Sequence, residues 1–440
     1  MKSRWMLMAG ALALLTGAAP PKRAAPRAGP VVQKVTPPKT VYWLSAATTS
    51  GFGAGMSAGA APSMGDMMRM MQGGSNVTKS LQLDLGGGPA TAQPAAAAHT
   101  IPPGMAMGPT LLLKSPQRST GTPGREPEDF ERPKGRILLF WGCGETARTG
   151  QPLTIDFSAM AAGQIPPGLF GGTRVRIARP PSAANWPSHG HWPNDDAASS
   201  RGVPGGASLI GAHRLTGNYL PAIDFDLTED FMGALAMTQS KLPSGALALG
   251  WNALPMATGH FAQVMGSSGN DQNGATIVFW TSSETQGFVS GLGDYVSPAE
   301  AARLVTAKQL MPPGQTSCTI PREVLAAAPQ GMVSLTAHGP EENIIFPPRP
   351  ADPRNPWNQL WAVKARFVAR TGAIAGMDMA SMERAGNDHD RQNGRPRKPK
   401  CPVDSGAAAG KAVGGALAGS MGSALGGMFG RKKKPQDCEP

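Results

Sequence analysis

Short runs of aliphatic, aromatic and β-branched residues, each bounded by glycine or proline, recur along most of the chain and constrain its fold more than any other feature. Val41–Leu44, Ser80–Leu85, Thr110–Leu113, Arg136–Trp141, Leu153–Phe157 and Thr173–Ile177 form a first set. Ala246–Trp251, Thr258–Met265, Ala275–Ser282, Ser317–Ile320, Met332–His338 and Leu360–Ala369 form a second. Runs this short cannot sustain helical periodicity, and their punctuation is that of an all-β protein. With 57 glycines and 43 prolines the chain has breakers enough to end every run. One stretch, Ser297–Lys308, reads as a helix because Pro298, Ala299 and Glu300 open it. The segments 51–74 and 86–108 are rich in Gly, Ala, Pro and Met and read as long loops.

The ends differ from the body. Lys2 and Arg4 precede an uncharged apolar core from Trp5 to Leu15, followed by the small residues Thr16, Gly17, Ala18 and Ala19. This is the pattern of a signal peptide, with cleavage expected after Ala18. The core is too short to span a bilayer, which takes about 20 apolar residues. No cysteine lies near the cut, so a lipoprotein anchor is not expected.

Net charge is +12, yet residues 1–40 hold seven Lys or Arg and no acid, and residues 391–440 hold ten bases against three acids. The basic character therefore belongs to the tails, and the body is slightly acidic. A nucleic-acid domain would gather bases on a folded face between aromatic platforms, so no nucleic-acid partner is expected.

These features divide the chain into a signal peptide (1–18), a Pro/Ala/basic linker (19–40), a β-rich module (41–225) and a second β module (226–346). A Pro-rich connector with a last strand (347–384), a basic linker (385–405), a glycine-rich segment (406–430) and a basic tail (431–440) follow. The fold expected is mainly β: two sandwich-like modules with long Gly/Pro/Met-rich loops, and a C-terminal helix or helical hairpin.

Within the second module, residues 249–264 run Leu-Gly-Trp-Asn-Ala-Leu-Pro-Met-Ala-Thr-Gly-His-Phe-Ala-Gln-Val. This resembles the B and C strands of fibronectin type III and related immunoglobulin-like modules, over about residues 230–340. The resemblance implies that Trp251 packs between two sheets, and that the module spaces or binds rather than catalyses. The helix at 297–308 and the lack of a recognisable tyrosine corner depart from that pattern.

At the C-terminal end, Gly406, Gly410, Gly414, Ala418, Gly422, Gly426 and Gly430 recur at every fourth residue, beside Gly415, Gly419, Ser423 and Gly427. On a helix these positions leave one stripe bare of side chains, so that another backbone can approach. The segment resembles the glycine zippers of bacterial envelope proteins. Each glycine costs a helix in water about 0.8–1.0 kcal/mol relative to alanine, so a helix here needs a partner or a bilayer. Arg431, Lys432, Lys433 and Lys434 would then face anionic head groups.

Cys143, Cys318, Cys401 and Cys438 are an even set in a chain expected in an oxidising compartment. Three pairings are open, and Cys143 with Cys318 and Cys401 with Cys438 are favoured. Met64, Met67, Met68, Met70 and Met71, with Met56 nearby, and the later group Met377, Met379 and Met382 near His389 offer soft thioether donors suited to Cu(I). The first group equally fits one adaptable apolar helix face. His189 and His191, with Asp195, Asp196, Trp186 and Trp192, lie in what reads as a Trp/Pro-rich loop suited to a metal or a sugar. Ser57 in Gly55-Met-Ser-Ala-Gly59 matches a nucleophile-elbow pattern without a strand to deliver it. Glu145, beside Cys143, is an acid in an apolar context. No catalytic residue and no cofactor is assigned.

The expectation is an exported envelope protein, periplasmic or associated with the outer membrane, non-enzymatic and binding or structural in role. Its partners are an anionic membrane surface, envelope components or a second copy. The alternative is a periplasmic hydrolase or metal-handling protein.

Overall fold

The computed structural model describes residues 32–52, 77–88, 96–115, 135–161, 174–194, 202–268, 275–286 and 291–377. Eighteen strands occur among the described residues. The first half of the chain contributes β1 (Val35–Thr36), β2 (Thr40–Gly51), β3 (Thr78–Gly87), β4 (Ala96–Thr100), β5 (Thr110–Lys114), β6 (Gly135–Trp141), β7 (Leu153–Asp156), β8 (Ser188–Trp192) and β9 (Gly211–Gly217). The second contributes β10 (Ile223–Leu227), β11 (Met237–Lys241), β12 (Leu247–Trp251), β13 (Gly259–Ser268), β14 (Ala275–Thr281), β15 (Ser317–Ile320), β16 (Met332–Phe346), β17 (Trp357–Asn358) and β18 (Trp361–Ile374). Among the described residues three short α-helices, α1 (Phe157–Ala161), α2 (Pro298–Thr306) and α3 (Arg322–Ala327), and one 3-10 turn (Pro103–Met105) join them. The protein is therefore mainly β.

Thirteen strands form one sheet in the order β10-β9-β4-β5-β8-β3-β2-β18-β16-β13-β14-β6-β7. A three-stranded sheet, β11-β12-β15, and the two-stranded pair β1-β17 complete the set. The long sheet is mostly antiparallel, but β2 and β18 run parallel, as do β14 and β6. A parallel pair cannot be closed by a hairpin, so these two seams join distant parts of the chain. At the first, Thr40–Gly51 pairs residue for residue with Trp361–Gly372. At the second, β6 leaves the first half of the chain and pairs beyond β14.

The alternation within strands fixes their faces. In β10, Ile223, Phe225 and Leu227 are buried while Asp224 and Asp226 are exposed, the period of two that a half-buried strand requires. Tyr42, Leu44, Leu83, Leu85, Leu113, Leu215 and Ile223 thereby meet in one core. The sheet bends over this core, because Phe225 on its edge strand lies against Tyr42, with ring centroids 6.2 Å apart. On the other side, β11-β12-β15 lies over the second half: the Trp251 ring is 5.6 Å from that of His260, and Gln239 donates to the carbonyl of Ile374. Trp251 is buried in the core, on a strand that belongs to a different sheet from β13.

Helix α2 forms as its sequence indicates. Ser297 accepts a hydrogen bond from the Glu300 amide, Pro298 occupies the first turn, and Glu300 pairs with Arg303. This is the first half of a capping box, with the acid favoured at the positive end of the helix.

Three expectations need correcting. Residues 174–177 lie in no ladder; Val175 packs instead against the small cluster of Phe261, Leu292 and Leu304 beside α2. The stretch 86–108 contains β4, whose Ala96-Ala-Ala-His-Thr100 has no β-branched residue before its end but gains two flanking partners, β5 and β9. The Trp/Pro-rich stretch with His189 and His191 is strand β8, held between β3 and β5. Among the described residues no helix is long and apolar enough to cross a membrane.

Candidate functional site

Where the sheet crosses from β8 to β16, the face turned away from the main core carries a row of charged and polar side chains. Register places His189 opposite Gly86, His191 opposite Asp84, Asp84 opposite Trp43, and Gln82 opposite Ser45. It continues through Trp43 opposite Lys364, Ser45 opposite Arg366, and Arg366 opposite Glu341. Paired residues share a face, so these side chains form a row across five strands. Their sequence neighbours Tyr42, Leu44, Leu83 and Leu85 point the other way, into the core.

Arg366 is the centre of this row. It is 6 % exposed, and its guanidinium lies 4.9 Å from the Trp43 ring centroid and 4.2 Å from that of Tyr295. Its Nε donates to Ser45 Oγ at 2.7 Å and its Nη1 to the Ala178 carbonyl at 3.3 Å. Burial pulls its pKa down from the usual arginine value, and Tyr295, Asp294, Asp84 and Glu341 pull it back. Burial likewise raises the Tyr295 phenol, opposed by Arg370 and Arg366. A flat cation between two rings is an arrangement that a lysine ammonium cannot reproduce.

Asp84 accepts from Gln82 Nε2 at 3.0 Å and lies 3.8 Å from His189 Nε2. That separation is an ion-pair distance when the imidazole is protonated, and too long for a hydrogen bond. Both His189 nitrogens lack hydrogen-bond partners among the described residues, although the side chain is only 8 % exposed. The His189 and His191 rings stack at 6.0 Å, nearly parallel. Trp186 seals this end, since a Cβ on Gly86 would lie 2.3 Å from its ring.

A second polar chain runs through the core. Tyr42 Oη lies 2.8 Å from His99 Nδ1, His99 Nε2 lies 2.9 Å from His213 Nδ1, and His213 Nε2 lies 2.7 Å from the Leu209 carbonyl. A carbonyl only accepts, so His213 Nε2 carries a proton, and in the neutral ring Nδ1 accepts from His99 Nε2–H. His99 Nδ1 then accepts from Tyr42. Burial lowers the pKa of both histidines, with His213 adding to the shift at His99, so the neutral chain is the favoured one. Burial acts on His260 in the same direction and holds His338 at about 3.

Of the residues singled out in the sequence, His189 and His191 are brought together with Asp84, but the described residues contain no group of three His, Cys, Asp or Glu able to hold a metal. Cys143 and Cys318 are joined in a disulfide. Glu145 presents its carbonyl to the Arg322 amide, and Trp192 is core. Met56, Ser57, Met64, Met67, Met68, Met70, Met71, Asp195, Asp196, Met379, Met382, His389, Cys401, Cys438 and the whole of 406–434 lie outside the described residues.

Asp84, Arg366, Tyr42, His99 and His213 belong to no motif in the sequence. An aspartate alternating in phase with Gln82 inside Ser-Leu-Gln-Leu-Asp-Leu marks a polar face, and was the available signal for one of them. Compared with known proteins, the chain matches no family model, no curated protein and no solved structure.

Proposed function

We propose that the chain is an exported protein of the bacterial envelope, in which two sandwich-like halves joined by one sheet serve a binding or structural role rather than catalysis. The observation that carries this reading is the Cys143–Cys318 disulfide, which ties the end of β6 to β15 across 175 residues. Such bonds persist where thiols are kept oxidised, in line with the signal-peptide pattern of residues 1–18. The row of Trp43, Arg366 and Tyr295 supports a structural role for the polar face, because its groups are spent on one another. On this reading 406–430 packs as a glycine zipper against an anionic membrane or a second copy, with Arg431–Lys434 at the surface.

Envelope fractionation with thiol trapping tests it. Protein alkylated at lysis should be found outside the cytosol with Cys143 and Cys318 unmodified. Recovery in the cytosolic fraction with both cysteines alkylated contradicts it.

A second reading, metal handling, is favoured by one observation: His189 is buried beside Asp84 without hydrogen-bond partners among the described residues. Calorimetric titration with Zn(II) or Cu(I) decides it. A stoichiometric submicromolar site lost in His189→Ala supports the second reading, and no heat above dilution removes it.

A further inference from the structure

Strand β16 outruns its neighbour β13. Pairing of β13 with β16 stops at Gly259 opposite His338, and that of β2 with β18 starts at Thr40 opposite Trp361. Beyond Gly259, Glu341–Phe346 is paired among the described residues on its β18 side alone, while Trp361–Arg366 stays paired with Thr40–Ser45 of β2, and β1 pairs with β17 at the same end. Four of the eight large apolar side chains exposed among the described residues gather on this end: Val32 at 88 %, Val35 at 48 %, Phe346 at 45 % and Leu360 at 52 %. Trp361 stacks on Phe346 with centroids 5.5 Å apart, and half-buried Trp357 lies under the Arg349 guanidinium at 5.6 Å.

Charge at this end leans positive. Glu341 is taken by Lys364 at 2.5 Å and Asp352 is chelated by Arg354, whereas Glu342 accepts from the neutral amides of Thr228 and Glu229 and keeps its charge. The remaining bases there are Lys34 and Lys39, both exposed, and Arg349, whose Nε donates to the neutral Gln33 side chain. Gln33, Arg349, Pro350, Ala351 and Pro353 line an open hollow of about 420 Å³. Upstream, the sequence adds Lys22, Arg23 and Arg27 with no acid.

Apolar side chains with two tryptophans, beside three bases that no carboxylate among the described residues pairs with and against the one unpaired charge of Glu342, are complementary to a surface that is apolar below and anionic above. We infer that this end of the β body docks on an anionic phospholipid bilayer, with Phe346 and Leu360 entering the interface and Lys34, Lys39 and Arg349 meeting phosphate head groups. This contact is separate from the one proposed for residues 406–434 and rests on the export reading only for its setting.

The test uses the full mature chain carrying Cys401→Ser and Cys438→Ser, with an environment-sensitive fluorophore on Leu360→Cys or, as the control, on Met332→Cys. Met332 is exposed at the opposite end of the 15-residue β16, about 45 Å away at roughly 3.3 Å per residue. Vesicles of phosphatidylglycerol and phosphatidylethanolamine should shift the emission at position 360 to the blue and leave position 332 unmoved, whereas phosphatidylcholine vesicles should move neither. The triple variant Lys34→Glu, Lys39→Glu, Arg349→Glu should unfold thermally like its parent but need on the order of a hundredfold more lipid for the same shift, each base contributing about fivefold.

An unmoved label at 360 on protein that floats with the vesicles would place all binding in the C-terminal segment and overturn the inference. Equal shifts on neutral and anionic vesicles would do the same. So would a shift without lipid that grows with protein concentration, which would give this face to a second copy. Because the label reports position and the thiol trapping above reports compartment, the two readings fail separately.

Discussion

The Tyr42 hydroxyl on β2 lies 2.8 Å from Nδ1 of His99 on β4, although three strands separate β4 from β2 in the order of the sheet. Only a sheet bent over its own core brings them together, and the contact continues through His213 to the Leu209 carbonyl. Tyr42→Phe removes the one donor that His99 Nδ1 has and leaves a buried acceptor unpaired. The expected loss is about 1–3 kcal/mol in urea unfolding. Tyr42→Phe with wild-type stability would show that the chain of hydrogen bonds does not hold the bend.

The same histidines set a pH dependence. His99, His213, His260 and His338 all have pKa values lowered by burial in the folded state. The unfolded chain therefore binds protons that the folded chain refuses. Their contribution is whole above the ordinary histidine value of about 6.5 and is lost as pH falls below it, down to about 3 for His338. His99 and His338 should each contribute up to about 1.4 kcal/mol per pH unit in that window. The lowered carboxylates Asp156, Glu300, Glu323 and Asp352 act only at lower pH. Urea midpoints should drop between pH 7.5 and pH 5, and a flat profile would contradict buried neutral imidazoles.

Reduction of Cys143–Cys318 reopens a span of 175 residues. Constraint of the unfolded chain by a loop of this length is worth about 3–5 kcal/mol. Thermal unfolding of Cys143→Ser, Cys318→Ser, or of the parent in reductant, should show a clearly lower midpoint. Identical midpoints with and without reductant would show that the bond constrains nothing.

Arg366→Lys keeps the charge but loses the flat stack between Trp43 and Tyr295 and the bond to Ser45. Arg366→Met removes the charge that must otherwise stay buried. The lysine variant should be the less stable of the two, by about 1–3 kcal/mol, because an ammonium there is desolvated without matching partners. The reverse order in chemical unfolding would mean that charge, and not geometry, holds the row.

Gly86→Ala pushes a Cβ to 2.3 Å from the Trp186 ring, and backbone on β3 and β8 cannot move aside without breaking a ladder. Displacement of Trp186 should lower stability by about 1–3 kcal/mol. His189 would become accessible to diethyl pyrocarbonate, read by peptide mass. No gain in modification would show that Trp186 is not what seals the row.

Strands whose apolar residues alternate or run together, such as those at 41–44, 80–85, 136–141 and 246–251, were legible because burial itself imposes the pattern. So were α2, through Ser297 and Glu300, and the pairing of Cys143 with Cys318. Strand β4 was hidden by its alanines, and β8 by polar residues and tryptophans that read as a loop. Their ladders are supplied by neighbours far away in the chain, which a local pattern does not record.

The seam between β2 and β18 joins segments some 321 residues apart, the separation at which Arg366 meets Ser45, and no local signal marks it. A signal did exist for the other seam. Residues 137–146, Ile-Leu-Leu-Phe-Trp-Gly-Cys-Gly-Glu-Thr, resemble 276–285, Thr-Ile-Val-Phe-Trp-Thr-Ser-Ser-Glu-Thr. These segments lie side by side in β6 and β14, staggered by one residue so that Phe140 faces Trp280. Trp280 is thereby fully buried, and Trp141 only partly.

For a disulfide-closed β protein exported to the envelope, as proposed, the decisive measurement is the intact mass of the native protein from an envelope fraction. The expected mass is that of a chain that starts at Ala19 and is lighter by the two hydrogens of the Cys143–Cys318 bond, with further loss if Cys401 and Cys438 also pair. A cytosolic chain that retains residues 1–18, with Cys143 and Cys318 as free thiols, would contradict it.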